Sequence, residues 1–386
     1  MNLDRPDTLF GSISANAFMR RHWQRLPLLV RQAVPGVTPP LARRELFALA
    51  ARDDVESRLV QRDASGGWRL RHGPLGARVL PPLKTPGWTL LVQGLDLHVD
   101  AARELLNRFR FLPDARVDDL MLSYASDGGG VGPHLDSYDV FLLQVQGRRR
   151  WRIGRAADKS LVDGAPLKLL ANFKAEEEWI LDPGDMLYLP PEWGHDGEAV
   201  GGDCMTCSIG FRASTAGELA REVLLRAADA LDGEGARYRD AAQPATATPG
   251  RVPASLQAFA ARAVALALRE RGAVGGAIGR ALGEVLSEPK ANVWFDAGRE
   301  PAAGEGVQLH RRTRMLYDEH HVFINGESFG ARGRDAGLMR RLADTRALDA
   351  PACARLSAGA RELLDGWARA GWLVAQTEVN EKERSR

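Results

Sequence analysis

Two short stretches of this chain hold residues that can do metal chemistry. In GGGVGPHLDSYDVF, residues 128–141, His134 and Asp136 stand two positions apart. On a β-strand, side chains at i and i+2 leave the same face, so both can reach one metal from one strand. A second stretch, LDPGDMLYLPPEWGHDG at 181–197, puts His195 just after an apolar run and a Pro-Pro turn. Two imidazoles and one carboxylate on one side of a metal leave adjacent positions open, the arrangement of non-haem Fe(II) oxygenases. Dioxygen and a chelating oxo acid need those positions. A His-x-Asp alone is weak, because a lone His near a turn is more often a hydrogen-bonded structural residue. The ordered set of Gly-rich approach, His-x-Asp, arginine-bearing strand, Pro-Pro turn and His is far more specific. His22, His72 and His98 have no ligand-type neighbours, and His310, His320 and His321 fall in a polar hairpin region. Cys204 and Cys207 resemble half a zinc site, but at i and i+3 on a strand they face opposite ways.

After the His-x-Asp, the run Val140–Val145 reads as a strand that turns at Gln146-Gly147 and returns as Arg148–Ile153. With period two, Arg149 shares a face with Trp151 and Ile153, whereas Arg148, Arg150 and Arg152 share the opposite, solvated one. A guanidinium on an apolar face needs an anionic partner, and its planar fork suits a carboxylate. The distal carboxylate of 2-oxoglutarate is one candidate, and an internal Asp or Glu is the other. Ser123 and Ser208 are weaker candidates for hydroxyl contacts to the same co-substrate. For the Arg148, Arg150, Arg152 row the choices are a solvated face, pairing with acids such as Glu176, Glu177 and Glu178, or help in docking a substrate.

The elements that must carry these residues are short β-type runs from about Asp118 to Phe211, separated by Gly and Pro turns. Such a pattern predicts a barrel or jelly-roll. Upstream, a short basic helix around Ala17–Gln24 and extended pieces at Pro27–Val30 and Thr89–Val92 show no chemistry of their own. Thr215 and Glu218 form a capping box that opens a helix with Leu219, Val223, Ala227 and Leu231 on one face. The Gly-, Pro-, Ala- and Thr-rich segment 232–252 reads as a mobile linker. Two more apolar stripes follow, Leu256, Phe259, Ala260, Ala263, Leu268 and then Val274, Ala277, Ile278, Ala281, Leu282, Val285. Three helices without a sheet make a thin core, so intrachain packing and a subunit interface are both open. The last part has a hairpin signal, Val322-Phe323-Ile324 before Asn325-Gly326, between helices around Leu338–Leu342 and Ala360–Ala370. The expected fold is α+β, with a double-stranded β-helix core, a helical region and a winged-helix-like module. The expected domains are 1–213, with core strands at 118–213, then 214–290 and 291–386.

With 386 residues the chain has room for two or three domains. Its 45% apolar and 26% charged residues are ordinary for a globular protein, and a net charge of +2 does not point to nucleic acid or membrane. Three cysteines cannot staple a chain this long, which fits a reducing compartment. Asp4, Arg5 and Asp7 stand where a signal peptide needs apolar residues, and no apolar run approaches a membrane span. A cytoplasmic protein is the expectation.

Taken together, GGGVGPHLDSYDVFLLQVQGRRRWRIG at 128–154, DPGDMLYLPPEWGHDG at 182–197 and SIGFRA at 208–213 resemble the JmjC-type oxygenases of the cupin superfamily, and within them the bacterial ribosomal-protein arginine hydroxylases. The segment AFMRRHWQRLPLLVRQAVPG at 17–36 is similar to the usual start of such enzymes, and the later parts resemble the family's dimerisation and winged-helix regions. The resemblance implies iron on His134, Asp136 and His195, 2-oxoglutarate on Arg149, and dioxygen as oxidant. It implies a homodimer that hydroxylates an arginine of large-subunit ribosomal protein sixteen, with no membrane or direct nucleic-acid contact. Asp127 and Tyr138, an acid and an aromatic face, are the candidates for gripping that arginine. Two other functions compete: a non-catalytic metal sensor whose C-terminal module reads nucleic acid, and a JmjC-type lysine demethylase. The first has no use for a triad paired with Arg149.

Overall fold

A computed structural model of the chain describes residues 3–376 apart from 64, 232, 234, 242–243, 247 and 269–275. The chain forms two units, 1–213 and 214–386.

Unit 1 is built on one antiparallel sheet. Its strands are β1 (Leu28–Val30), β2 (Ser57–Arg62), β3 (Trp68–His72), β4 (Trp88–Val92), β5 (Val117–Ala125), β6 (His134–Leu135), β7 (Asp139–Arg155), β8 (Glu177–Leu181), β9 (Met186–Leu189) and β10 (Trp193–Phe211). They run in the order β1-β9-β7-β10-β5-β4-β2-β3, with β6 added on β10 and β8 on β7. Three helices, α1 (Ala15–Arg21), α2 (Arg43–Ala50) and α3 (Asp100–Asn107), supply Phe18, Leu46 and Leu106 to the main core. Alternation on β7 divides its side chains. Phe141, Leu143 and Val145 join that core, whereas Val140, Leu142, Trp151 and Ile153 join a second cluster with Leu181, Leu187 and Leu189.

The predicted turn at Gln146-Gly147 is absent. β7 is continuous through it and pairs with β10 on both sides, Gln144 opposite Thr206 and Arg148 opposite Val200. What looks like a turn signal is an irregularity in the ladder. Gly147 takes φ +63°, and a Cβ there would come within 2.9 Å of the Asp203 carbonyl. Gly201, Gly202 and Asp203 opposite it also have positive φ. The register shift changes which residues share a face, so Val140 and Leu142 lie on the same side as Trp151 and Ile153 despite odd separations. Arg149 keeps its predicted place on the buried face.

Unit 2 contains α4 (Ala216–Asp229), α5 (Ala254–Ala267), α6 (Gly276–Ser287), β11 (Val307–Leu309), β12 (Met315–Tyr317), β13 (His321–Ile324), β14 (Glu327–Gly330), α7 (Gly333–Thr345), β15 (Ala347–Leu348), α8 (Ala350–Ala354), α9 (Ala358–Arg369) and β16 (Leu373–Ala375). The capping box forms as read, with Thr215 accepting from the Glu218 amide at 3.2 Å. The Asn325-Gly326 hairpin joins β13 to β14 with both φ positive, as its turn type requires. Val223 and Ala227 of α4 pack on Ala281 of α6. Gly283 of α6 meets the Phe323 ring so closely that a Cβ would lie 2.3 Å from it. α5 buries no side chain, and Leu256, Val264 and Leu266 on it are exposed. Val274 of the third stripe lies outside the described residues. No helix among the described residues is long and apolar enough to cross a membrane.

The turn before β9 has its own anchor. The buried Asp185 carboxylate accepts from the Gln32 amide at 2.9 Å, the Asp182 amide at 3.1 Å and Arg31 at 2.6 Å. Its backbone carbonyl accepts from the Gln144 amide at 3.0 Å, which fixes β7 beside the site. Burial pushes the Asp185 carboxyl up, but the Gln32 amide, the Arg31 guanidinium and the Asp182 amide outweigh it and hold it below the ordinary range. Its stabilisation is therefore full above the unfolded carboxyl pKa of about 3.9 and is lost as pH falls through the lower folded value. Asp185→Asn should destabilise unit 1 by about 2 kcal/mol in urea unfolding at pH 7. The gap from wild type should narrow near pH 3; a gap equal at both pH values would rule out the carboxylate's charge as its source.

Candidate metal centre

β6 pairs with β10 so that His134 stands directly opposite His195, and Asp136 follows on the same approach. The glycine run delivers them. The Gly128 amide donates to the Ala199 carbonyl at 3.0 Å, and the Ala199 amide donates to the Gly129 carbonyl at 2.9 Å. The segment is held between β4 and β10 too tightly for side chains: a Cβ on Gly129 would lie 2.3 Å from the Trp88 carbonyl of β4, and one on Gly130 would lie 2.4 Å from that of Gly197 in β10.

One ligand atom from each of His134, Asp136 and His195 lies within 4.8 Å of the others, the one such group among the described residues. The imidazole rings are 4.2 Å apart between centroids, and His195 Nε2 is 3.6 Å from Asp136 Oδ2. Each His is oriented by the backbone two residues before it. Nδ1 of His134 lies 2.9 Å from the Gly132 carbonyl, and Nδ1 of His195 lies 3.0 Å from the Trp193 carbonyl. A carbonyl only accepts, so each Nδ1 carries the proton and each Nε2 offers a lone pair. Burial, with His134 beside it, pushes His195 down to about 4 against the opposing pull of Asp136. It is neutral at pH 7, the form a metal needs.

The three open into a cavity of about 440 Å³ inside the barrel, lined also by Ser123, Tyr138, Arg149, Trp151, Thr206 and Ser208. Arg149 is 4% exposed. Its Nη1 donates to Ser123 Oγ at 3.1 Å and Thr206 Oγ1 at 3.2 Å, and its Nη2 to the Gly197 carbonyl at 3.4 Å. Its Nε has no partner. The internal Asp or Glu that the sequence left open is not found among the described residues; only neutral oxygens face this cation. A buried guanidinium with no carboxylate partner among the described residues, set beside three metal-type ligands, fits a co-substrate that brings its own carboxylate.

Other expectations fare differently. Ser208 and Tyr138 do line the cavity, Tyr138 with 39% of its surface exposed. Asp127 does not line it. It is exposed beside a separate depression, and its Oδ1 accepts from the Gly201 amide at 2.7 Å. Thr206 was missed, although it stands two before Ser208 and so on the same face. Asp118 and Asp119 of β5, also missed, face the cavity. Cys204 and Cys207 are free and buried. Of the basic row, Arg150 pairs with Glu178 and Glu198, and Arg152 with Glu178, Asp196 and Glu198 at 2.9–3.5 Å.

A jelly-roll that brings His-x-Asp and a distant His together at the mouth of its cavity defines a JmjC-type protein, and residues 104–219 match the JmjC domain model. Residues 277–374 match the ROXA-like winged helix. The fold aligns with the X-ray structure of E. coli ycfD over 95% of this chain and 99% of that one, at TM-score 0.81 and 30% identity. A structure of YcfD, a ribosomal oxygenase from E. coli, in complex with cobalt and 2-oxoglutarate aligns over 95% and 99% at TM-score 0.77 and 29% identity. The chain belongs to this family of JmjC proteins with a ROXA-like winged helix. Among curated relatives, the ribosomal protein uL16 3-hydroxylase of Escherichia coli is 41% identical over 203 residues, 52% of this chain and 53% of that protein. A probable ribosomal oxygenase of Haemophilus influenzae is 36% identical over 204 residues, 52% and 50%. The chain thus spans about half the length of the curated relatives it matches.

Cobalt(II) titrated into the full chain at pH 7 should bind once per chain by calorimetry. His134→Ala, Asp136→Ala or His195→Ala should each weaken that binding at least about a hundredfold, with little change in the melting of the metal-free protein. Retained stoichiometric binding in any of the three would remove that residue from the metal's ligands.

Proposed function

We propose that this chain is a cytoplasmic Fe(II)- and 2-oxoglutarate-dependent hydroxylase acting on an arginine of ribosomal protein uL16. The observation that carries this reading is the buried Arg149 without a carboxylate, set beside His134, Asp136 and His195 in one cavity. The metal, with 2-oxoglutarate and dioxygen, supplies the oxidising power that puts one oxygen atom on carbon. The protein's share is binding and placement. His134, Asp136 and His195 occupy one side of the iron and leave the other to ligands, and Arg149 takes the far carboxylate of the oxo acid. Ser123 and Ser208 line the same wall.

For the substrate, the cavity has a slot suited to a guanidinium. An ideal Cβ on Gly210 would lie 3.7 Å from the Tyr138 ring and 4.0 Å from both Asp118 Cβ and Asp119 Oδ1. The bare backbone of Gly210 is thus the floor between an aromatic ring and two acids. A planar cation with several N–H donors matches that combination, whereas a methylated lysine favours a cage of several aromatic faces. Tyr138, Asp118 and Asp119 are therefore the proposed grip, with Asp119 already held by Gln93 Nε2 at 2.9 and 3.1 Å and Asp118 3.6 Å from Arg212 Nε. Asp127, outside the cavity, is proposed to hold the 200–202 turn. A non-catalytic nucleic-acid sensor gives Arg149 no partner, and Arg150 and Arg152 are already matched by acids.

The region 214–290 is proposed to form a homodimer, its last helix also falling within the winged-helix match at 277–374. The support is apolar surface left uncovered on α4 and α5, where Leu224, Leu225, Val264 and Leu266 are each more than half exposed. Sedimentation of the full chain at micromolar concentration should show a dimer, and Val264→Glu with Leu266→Glu should shift it to monomer; a wild-type monomer would overturn this assembly.

The activity is tested by the intact mass of uL16 from cells that lack the protein and from cells given it back. One added oxygen should return with wild type and not with Arg149→Met. With purified components, Asp118→Ala should raise the KM for uL16 about tenfold and leave the oxoglutarate requirement unchanged. Unmodified uL16 in the presence of wild type, with oxoglutarate still turned over, would reject uL16 as the substrate.

A further inference from the structure

Arg149 does not hold its orientation alone. Behind it lies Gln144, fully buried, whose side chain has acceptors and donors in a fixed order. Its Nε2 donates to the carbonyls of Gln146 at 2.7 Å and Gly147 at 3.1 Å. Both are acceptors only, so the amide can take one orientation, with Oε1 toward Thr206. The Thr206 hydroxyl donates to that oxygen at 2.8 Å. Its single proton is then spent, and toward Arg149 it can only accept. Ser123 is committed in the same sense, since its hydroxyl donates to the Thr206 carbonyl at 3.3 Å. Both hydroxyls therefore accept from Nη1 and occupy its two protons. Nε–H has no partner among the described residues but is closed off from solvent, so the donor left for a ligand is the second proton on Nη2.

We propose that Gln144 is a positioning residue for oxoglutarate recognition. By fixing the hydrogen-bond direction of Thr206, it saturates Nη1 of Arg149 and leaves Nη2 as the donor for the co-substrate's carboxylate. This inference rests on the reading of Arg149 as the oxoglutarate anchor. It also gives the irregularity at Gln146-Gly147 a purpose. In an unbroken strand, residues 144 and 149 would face opposite ways; the shift brings both to Thr206 and aims the two carbonyls that orient the amide.

The test is calorimetry of oxoglutarate binding to the cobalt-loaded full chain, with cobalt affinity measured alongside. Thr206→Val removes the acceptor and should raise the oxoglutarate Kd roughly tenfold, the order of one hydrogen bond to a charged group. Thr206→Ser keeps the hydroxyl and should restore binding to within about twofold. Gln144→Met should weaken binding severalfold when Thr206 is present and add almost nothing in the Thr206→Val background, because its effect passes through that hydroxyl. Cobalt affinity should be unchanged throughout. Independent, additive losses, or failure of Thr206→Ser to recover binding, would overturn the proposal, as would unchanged affinity in Thr206→Val. If Gln144→Met does not fold, the two Thr206 variants decide the matter. Failure of wild type and Arg149→Met to differ would instead remove the anchor reading on which the proposal stands.

Discussion

A guanidinium buried in the barrel with only neutral oxygens around it is the constraint from which the rest of unit 1 follows. Such a cation is costly to bury, and three hydrogen bonds to hydroxyls and a carbonyl offset the cost only in part. The fold tolerates it because β7 and β10 are paired along almost their whole lengths and hold Arg149 rigidly against Ser123 of β5 and Thr206 of β10. The Trp151 ring, 5.3 Å from the guanidinium carbon, adds the cation–π attraction that a partly paired Arg can use. Charge left over at that point is what gives an anionic co-substrate a reason to enter.

The same two strands also carry the metal-type ligands. β10 supplies His195 directly and His134 through β6, while the glycine run is held between β4 and β10 at positions where no Cβ fits. Anchor and ligands are thus referred to one ladder, and the distance between them is a property of the sheet and not of a loop. Preorganisation of this kind is what a site needs if a small, doubly charged molecule is to bridge metal and arginine. Unit 2 has a separate core.

Much of the site was legible in the sequence because its residues obey local periodicity. The buried parity of Arg149, Trp151 and Ile153 is strand geometry and holds, whereas β6 ends at Leu135 and Asp136 reaches the site from just beyond the strand. The Thr215 capping box and the Asn325-Gly326 turn were equally plain, since each depends on neighbours in the chain. The failures share one cause. Gln146-Gly147 has the composition of a turn, yet the positive φ of Gly147 absorbs a ladder irregularity that only the facing segment at 201–204 reveals. Without that register, Gln144 falls on the wrong face and Thr206 has no visible partner. Asp127 was similarly misplaced. An acid beside a glycine run reads as ligand-facing, whereas its carboxylate caps the Gly201 amide of a strand more than seventy residues away. Asp118 and Asp119 escaped notice because nothing local marks which acid on a strand meets a cavity.

The decisive question is whether one cavity binds metal and oxoglutarate together. It is answered most directly by anaerobic addition of oxoglutarate to the Fe(II)-loaded chain, followed by visible absorption. A chelating oxo acid on iron gives a charge-transfer band that neither component produces alone. The band should saturate at one oxoglutarate per chain, vanish in Asp136→Ala, and need far more oxoglutarate in Arg149→Met. A band absent from the wild-type protein, or one indifferent to Arg149, would contradict the shared cavity.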